Sequence, residues 1–324
     1  MEIIQENAPQ PAQRVYPLGF KGEGGAYFGI AIVNLILTFL TLGLYYPWAK
    51  AKQLQFLYGA TEFEGSRFEF HGTGKEMFKG FIKAVIIFTI IYGVAFFAMI
   101  NHWLIAGVIW LYAGFLILIP LAIHGSYKYR MSRTSWRGIR FGYRGKRGEF
   151  FGFFFKELFF TIISLGLYGA WFSMNIRKYV VGNIRFGDAE FKYAGRGSDY
   201  FLLNIKGYFL TILTLGIYSF WWQKDLFNYY INKLSLHQHD REIRFRSNAT
   251  GGDFAGLLII NGLLMLFTLG IGYPWVVTRT LRFVFSKIEA TGNIEADHLV
   301  QTEKAYTDAT GEDVSDMLDL GFVI

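Results

Sequence analysis

Apolar residues run in six long stretches, near residues 26–48, 81–100, 103–124, 150–173, 200–222 and 254–277. Each is close to the roughly 20 residues that a bilayer-spanning helix needs. Between them the pattern shifts to period two. From Thr61 to His71 and from Asn183 to Tyr193, aromatic and charged residues alternate around Gly-Ser or Gly-Asp, which predicts short β-hairpins. Trp136 to Tyr143 and Glu242 to Arg246 read the same way. The fold class that follows is an all-α polytopic membrane protein with internal repeats, about six transmembrane helices and short interfacial β-hairpins.

The end of the apolar stretch is written four times: T-L-G-L-Y-Y-P-W from Thr41, S-L-G-L-Y-G-A-W from Ser164, T-L-G-I-Y-S-F-W from Thr214 and T-L-G-I-G-Y-P-W from Thr268. Recurrence at matched offsets marks a repeat architecture. Counted from Phe20, Phe70, Phe141, Phe191 and Phe245, the repeats cover residues 20–69, 70–140, 141–190, 191–244 and 245–287. In the second, Gly93 stands where the break belongs but the apolar run continues, adding about one span. Residues 1–19 are polar, lack the apolar run of a cleavable signal and read as a flexible N-terminus. Residues 288–324 read as an acidic soluble tail.

Each break pairs a glycine with a tryptophan: Gly43 and Trp48, Gly166 and Trp171, Gly216 and Trp221, Gly270 and Trp275. The glycine weakens the helix where its apolar run ends, and the Thr or Ser two residues earlier has a hydroxyl to offer a freed carbonyl. The tyrosines and tryptophans that follow suit headgroup depth. Two topologies compete. If each repeat crosses once, the hairpins alternate between faces; if the chain turns back at the break, all hairpins share one side. The shared side is preferred, because direct repeats and positive-inside bias then agree.

Composition sharpens this picture. Of 324 residues, 52% are hydrophobic, 19% aromatic and only 18% charged, against about 25% charged in ordinary soluble domains. The mean hydropathy is +0.28. Cysteine is absent, which removes disulfides and thiolate chemistry, and the net charge of +7 suits anionic lipid. Counting back from the break glycines exposes a polar column: Asn34, Glu157 and Asn261 nine residues before, Lys83, Lys156 and Lys206 ten before. Ionisable groups there are costly in lipid and usually face a bundle interior or water. They form a candidate polar path between repeats, while the lysines are also long enough to snorkel to headgroups.

The run Arg130, Arg133, Arg137 and Arg140 is read as a lipid-facing basic hairpin rather than a nucleic-acid surface. His237-Gln-His239 has metal-like spacing but reads as solvated surface, and Gly72-Thr-Gly74 and Gly195-Arg-Gly197 as turns. No metal or cofactor is expected. No Ser-His-Asp, paired-carboxylate or H-E-x-x-H arrangement appears, so an enzyme is not expected.

Phe20-Lys-Gly-Glu-Gly with Tyr27-Phe28, Leu40 to Lys50 and the Thr61-Glu-Phe-Glu-Gly hairpin together resemble the YjgN-like family, DUF898. The likeness runs from about Phe20 to Ile288. It implies a multi-pass protein of a bacterial inner membrane, in contact with lipid, and carries over no activity. Two functions stay open: a transporter or channel-like protein with a polar path between repeats, or a non-transporting membrane scaffold that binds anionic lipid or a partner protein through basic aromatic hairpins. Any small-molecule or ion substrate and any oligomer are undetermined.

Overall fold

The structure, a computed structural model, describes residues 14–294 and 299–303. One order of elements recurs along it. Strands β1 (Arg14–Tyr16) and β2 (Leu18–Phe20) lead into helices α1 (Gly24–Leu40) and α2 (Tyr46–Ala60). Then come β3 (Thr61–Phe63), β4 (Ser66–Phe70), α3 (Gly74–Ile100) and α4 (Leu104–Ser132); β5 (Thr134–Trp136), β6 (Ile139–Tyr143), α5 (Arg147–Ile163) and α6 (Gly169–Gly182). The chain continues through β7 (Ile184–Phe186), β8 (Ala189–Tyr193), α7 (Gly197–Leu213) and α8 (Ser219–Asn232), then β9 (Leu234–Gln238), β10 (Arg241–Ser247), α9 (Gly251–Phe267), α10 (Tyr273–Ser286) and β11 (Ile288–Gly292).

The short hairpins join into one antiparallel sheet of 11 strands, in the order β1-β11-β10-β9-β8-β7-β6-β5-β4-β3-β2. Its two ends are consecutive in sequence. Tyr16 pairs with Ala290 of β11, Leu18 pairs with Phe63 of β3, and Pro17 stands between them. Proline has no N–H to give a ladder, so the first strand bends there and splits its pairing between both edges. The sheet is thereby nearly closed, and little strand edge remains exposed. Its tight turns, such as Glu64-Gly65 and Arg137-Gly138, lie at one rim, and the five helix pairs leave from the other.

Aromatic side chains fill the ring. Trp136 is 0% exposed and donates its indole N–H to the carbonyls of Phe63 (3.0 Å) and Ser66 (3.1 Å). Phe141 stacks on Phe186 with centroids 4.3 Å apart. Ile294 and Leu299, beyond the last strand, complete the same cluster. The boundary drawn at residue 287 thus falls between α10 and β11. Residues 304–324 of the expected tail and 1–13 of the expected flexible N-terminus lie outside the described residues.

The all-α fold with about six spans is corrected on two counts. The hairpins build a continuous sheet, and among the described residues only α3 and α4 are long and apolar enough to cross a membrane. Four apolar stretches fail to span because each contains a chain reversal. At the breaks, Leu42 and Gly43 have φ of 49° and 91°, Leu165 and Gly166 52° and 90°, Leu215 and Gly216 51° and 96°, and Leu269 and Gly270 50° and 88°. Two successive left-handed residues end a helix in a Schellman turn. The Gly43 amide donates to the Thr38 carbonyl (2.7 Å) and the Leu42 amide to Phe39 (3.1 Å), and the other three breaks repeat this. Each 17-residue helix is about 25 Å long, short of the ~30 Å hydrocarbon core even if upright.

The second helix pair keeps the frame and lengthens the excursion. Pro120 lies inside α4, thirteen residues before Arg133, as Pro47 precedes Ala60 and Pro274 precedes Lys287. Pro47 and Pro274 start their helices, where a missing N–H is harmless. In α4 the helix runs on through proline, since the chain arrives from the longer α3.

Neighbouring helix pairs are fastened by an indole against a glycine. Trp48 lies on Gly74, Trp171 on Gly197, Trp221 on Gly251 and Trp275 on Gly24, so the last pair grips the first. A Cβ added at Gly74 would stand 2.4 Å from the Trp48 ring and 2.7 Å from its Cα. Gly74→Ala is therefore expected to destabilise the protein by about 1–3 kcal/mol. Gly25→Ala, with open space around it, should cost nothing; thermal unfolding in detergent compares the two.

Asp253 and Thr250 form a capping box at the start of α9, and Asp253 also meets Lys287 at 2.9 Å. The Lys287 ammonium, together with bonds from Thr250, holds its carboxyl down at about 2. A depressed carboxylate stabilises the fold above its ordinary titration range and loses that contribution as pH falls through the depressed value. The gap in unfolding temperature between the wild type and Asp253→Asn should hold steady above about pH 5 and close toward pH 2.

Candidate membrane-facing site

The break turn is built from one hydroxyl that serves two helices. Thr41 Oγ1 donates to the Leu37 carbonyl (2.7 Å) and accepts the Tyr45 amide (2.9 Å), capping the end of α1 and the start of α2. Thr214 does the same with Leu210 and Tyr218, and Thr268 with Leu264 and Gly272. Ser164 reaches the Thr161 carbonyl at 3.1 Å and accepts the Tyr168 amide. The reversal leaves its central backbone groups bonded within itself, as hydrocarbon surroundings require.

What the turn displays is apolar. Leu42, Leu165, Leu215 and Leu269 are 91–95% exposed, flanked by exposed Leu40, Ile163, Leu213 and Phe267. A left-handed leucine costs about 1–2 kcal/mol, yet glycine is not used at these four places. The fifth turn differs. The α3–α4 hairpin has His102 in the left-handed position (φ 62°), between Asn101 and an exposed Trp103. Thus the four short hairpins end in bare leucine, and the long one ends in polar residues with an indole. Sequence reading missed the leucines, although one precedes every break glycine.

The polar column divides into two sets. Asn34, Glu157 and Asn261 are buried, and each bonds the partner helix of its own pair. Asn34 Nδ2 donates to the Ala49 carbonyl (3.2 Å) and Asn261 Nδ2 to Thr280 Oγ1 (3.0 Å). Glu157 accepts from Asn175 Nδ2 (2.6 Å) and the Tyr168 hydroxyl (3.2 Å). Lys156 and Lys206 lie on the exposed side, with Lys83 half-buried. These three share the tenth position of α5, α7 and α3. The two sets therefore point different ways, and no cavity described here is lined by Lys156, Glu157 and Lys206 together.

The basic run is also divided. Arg130 and Arg133 are buried, and Arg133 Nε pairs with Glu76 at 3.2 Å. Arg137 lies over the Trp136 ring at 4.3 Å and bonds Ser66 and the Glu64 carbonyl. The Arg140 amide donates to Gln301. The break tryptophans Trp48, Trp171, Trp221 and Trp275 serve the joints between helix pairs. Among the described residues no group of histidines and carboxylates has the geometry to hold a metal ion.

Apolar hairpin tips, a pair of long apolar helices of which only 17% of the greasiest stretch is buried, and lysines at one register define a membrane protein whose helices rise from a nearly closed strand ring. The chain belongs to the DUF898 family, described as a bacterial protein of unknown function, whose profile matches residues 15–194, 188–239 and 222–317. It is similar to the inner membrane protein YjgN of Salmonella typhimurium, 28% identical over 171 residues, covering 53% of this chain and 42% of that protein. It is also similar to YjgN of Escherichia coli O157:H7, 31% identical over 144 residues, covering 44% and 35%. The aligned stretch is thus less than half of these relatives' length. No solved structure matches the chain. The expected family is shown, and its named relatives are inner membrane proteins.

Glu157→Leu would leave the Asn175 and Tyr168 donors without their acceptor inside the α5–α6 pair, a loss of about 1–3 kcal/mol. Glu157→Gln, which keeps an acceptor oxygen, should lose less. Unfolding midpoints of the two variants in detergent give the order.

Proposed function

We propose that this protein is a non-transporting membrane scaffold, seated mainly in one leaflet by its four short helix pairs and pinned across the bilayer by α3 and α4. The observation that carries this reading is the contrast between the turns. The left-handed leucines gain about 1.5–3 kcal/mol each when removed from water, which offsets their backbone strain only if the tips lie in hydrocarbon. From Lys156 or Lys206 to the tip is about ten residues, at most ~15 Å, or half of the ~30 Å core. The α3–α4 pair extends ten residues further than its neighbours, enough to bring Asn101, His102 and Trp103 toward the opposite interface.

In this seating Lys83, Lys156 and Lys206 form a collar at headgroup depth, where each cation beside anionic lipid contributes about 1 kcal/mol. The scaffold reading is favoured over a transporter by two observations. Glu157, the ionisable member of the column, accepts from Asn175 and Tyr168 inside its own helix pair, and the strand ring beneath is packed with aromatic side chains.

Since the chain has no cysteine, single cysteines report depth directly. Leu165→Cys and Leu215→Cys, spin-labelled in liposomes, should be relaxed by oxygen and not by a nickel chelate, with Lys156→Cys intermediate. His102→Cys should react with an impermeant maleimide only from the face opposite to Asp240→Cys. Ready maleimide labelling of Leu165→Cys and Leu215→Cys in intact membranes would refute the seating.

A further inference from the structure

Seven residues before the break glycines stand Ile36, Phe159, Phe209 and Leu263, and Ile86 holds the same place before Gly93 in α3. All five are apolar and 46–66% exposed. In the short pairs this register lies about 10 Å below the break glycine, inside hydrocarbon in the proposed seating. Each helix pair therefore shows lipid an apolar flank as well as an apolar tip. The pairs also adjoin one another around the whole molecule: α2 packs on α3, α4 on α5, α6 on α7, α8 on α9, and α10 on α1. Together they make a crown of ten helices.

Beyond the crown only α3 and α4 continue. Gly107 against Ala95 and Ala98, and Gly114 against Ile91, keep this two-helix stem thin. No Asp, Glu, Lys or Arg occurs in residues 84–123, so the stem is free of ionised groups throughout its hydrocarbon passage. Crown and stem differ greatly in girth. Ten upright helices of about 10 Å diameter cover about 800 Å² of one leaflet, whereas two cover about 160 Å² of the other. The difference, about 600 Å², must be accommodated by one leaflet alone. Bending the bilayer, convex on the side of the fuller leaflet, supplies that area.

We propose that the protein acts on membrane shape, as a wedge that gathers on bilayers convex toward the strand ring and, at high density, produces them. The proposal rests on the one-leaflet seating and adds a function to it. Helices that occupy one side of a bilayer respond to its curvature, and here the wedge is fixed by the fold. Both ends of every helix pair join neighbouring strands of the ring, and the indole joints hold adjacent pairs together. The crown is thus not free to narrow to the width of its stem, and the lipid yields instead.

The test reconstitutes the full chain sparsely in giant vesicles of phosphatidylcholine and phosphatidylglycerol, from which tethers about 30 nm wide are drawn to present strong curvature. The chain has no cysteine of its own. An impermeant fluorescent maleimide added outside therefore marks only ring-outward copies through Asp240→Cys, and only ring-inward copies through His102→Cys. Ring-outward copies should be enriched about threefold or more in the tether relative to the vesicle, and ring-inward copies depleted. Leu165→Asn combined with Leu215→Asn suits the left-handed turn and draws two tips toward water, so it should lower the enrichment. Equal density of ring-outward copies in tether and vesicle, equal enrichment of both orientations, or full sorting by the double variant would overturn the proposal. The seating is read separately, from the maleimide reactivity of Leu165→Cys and Leu215→Cys. Unreactive tips without sorting refute the wedge alone, whereas reactive tips remove both.

Discussion

A helix that must return to the sheet it left needs a reversal whose backbone groups are satisfied within the turn itself. Here that reversal is a leucine and a glycine in succession, both left-handed, with a threonine or serine hydroxyl bonded to each side. Everything else follows from its short reach. Because the chain comes back within 17 residues, each helix pair ends beside its own beginning, as where the Lys21 amide donates to the Ala60 carbonyl (2.7 Å). The next strand is then delivered next to the previous one. Four such returns, with the longer α3–α4 excursion, lay the strands side by side in chain order, and Pro17 lets the first strand serve both edges.

The parts of the fold set by local pattern were legible in the sequence. Period-two alternation around Glu64-Gly65 and Gly187-Asp188 marks β3–β4 and β7–β8, and the break motif marks where α1, α5, α7 and α9 end. The number of spans was not legible, because 23 apolar residues read alike as one crossing helix or as a helix, a turn and half of a second. Only the sign of φ at Leu42 and Gly43 separates them, and glycine after leucine occurs in straight helices as well. The joining of hairpins into one sheet was hidden for a different reason. The pairing of Phe70 with Thr134 spans 64 residues, and that of Tyr16 with Ala290 spans almost the whole chain.

The candidate site shows the same division. Spacing put Asn34, Glu157 and Asn261 in one register, and they do share a structural role, yet each points to its own partner helix. The lysines one residue earlier fall on another side, since adjacent positions on a helix are about 100° apart. Treating neighbouring columns as one lining merged two faces that the helix keeps separate. The tryptophans were noticed for their likeness to interfacial anchors, whereas their partners, Gly24, Gly74, Gly197 and Gly251, identify them as joints. The sequence signal was present in those glycines, each opening a helix where a side chain would collide with an indole.

Among the described residues, the one joint without this device adjoins the long helix pair. At the start of α5 the glycine is replaced by Arg147, and α4 has Leu121 where the other returning helices carry tryptophan. A pair that extends about 15 Å beyond its neighbours has new surface to bury, and α3 and α4 meet that need with each other. Gly107 lies against Ala95 and Ala98, and Gly114 against Ile91, close approach of the kind that small residues permit between helices in lipid. The long pair is thus self-sufficient above the crown, and the indole clamp became dispensable beside it. Four Trp-Gly joints between helix pairs and one small-residue seam within the long pair are two solutions to the same requirement, close helix approach without a side chain in the way.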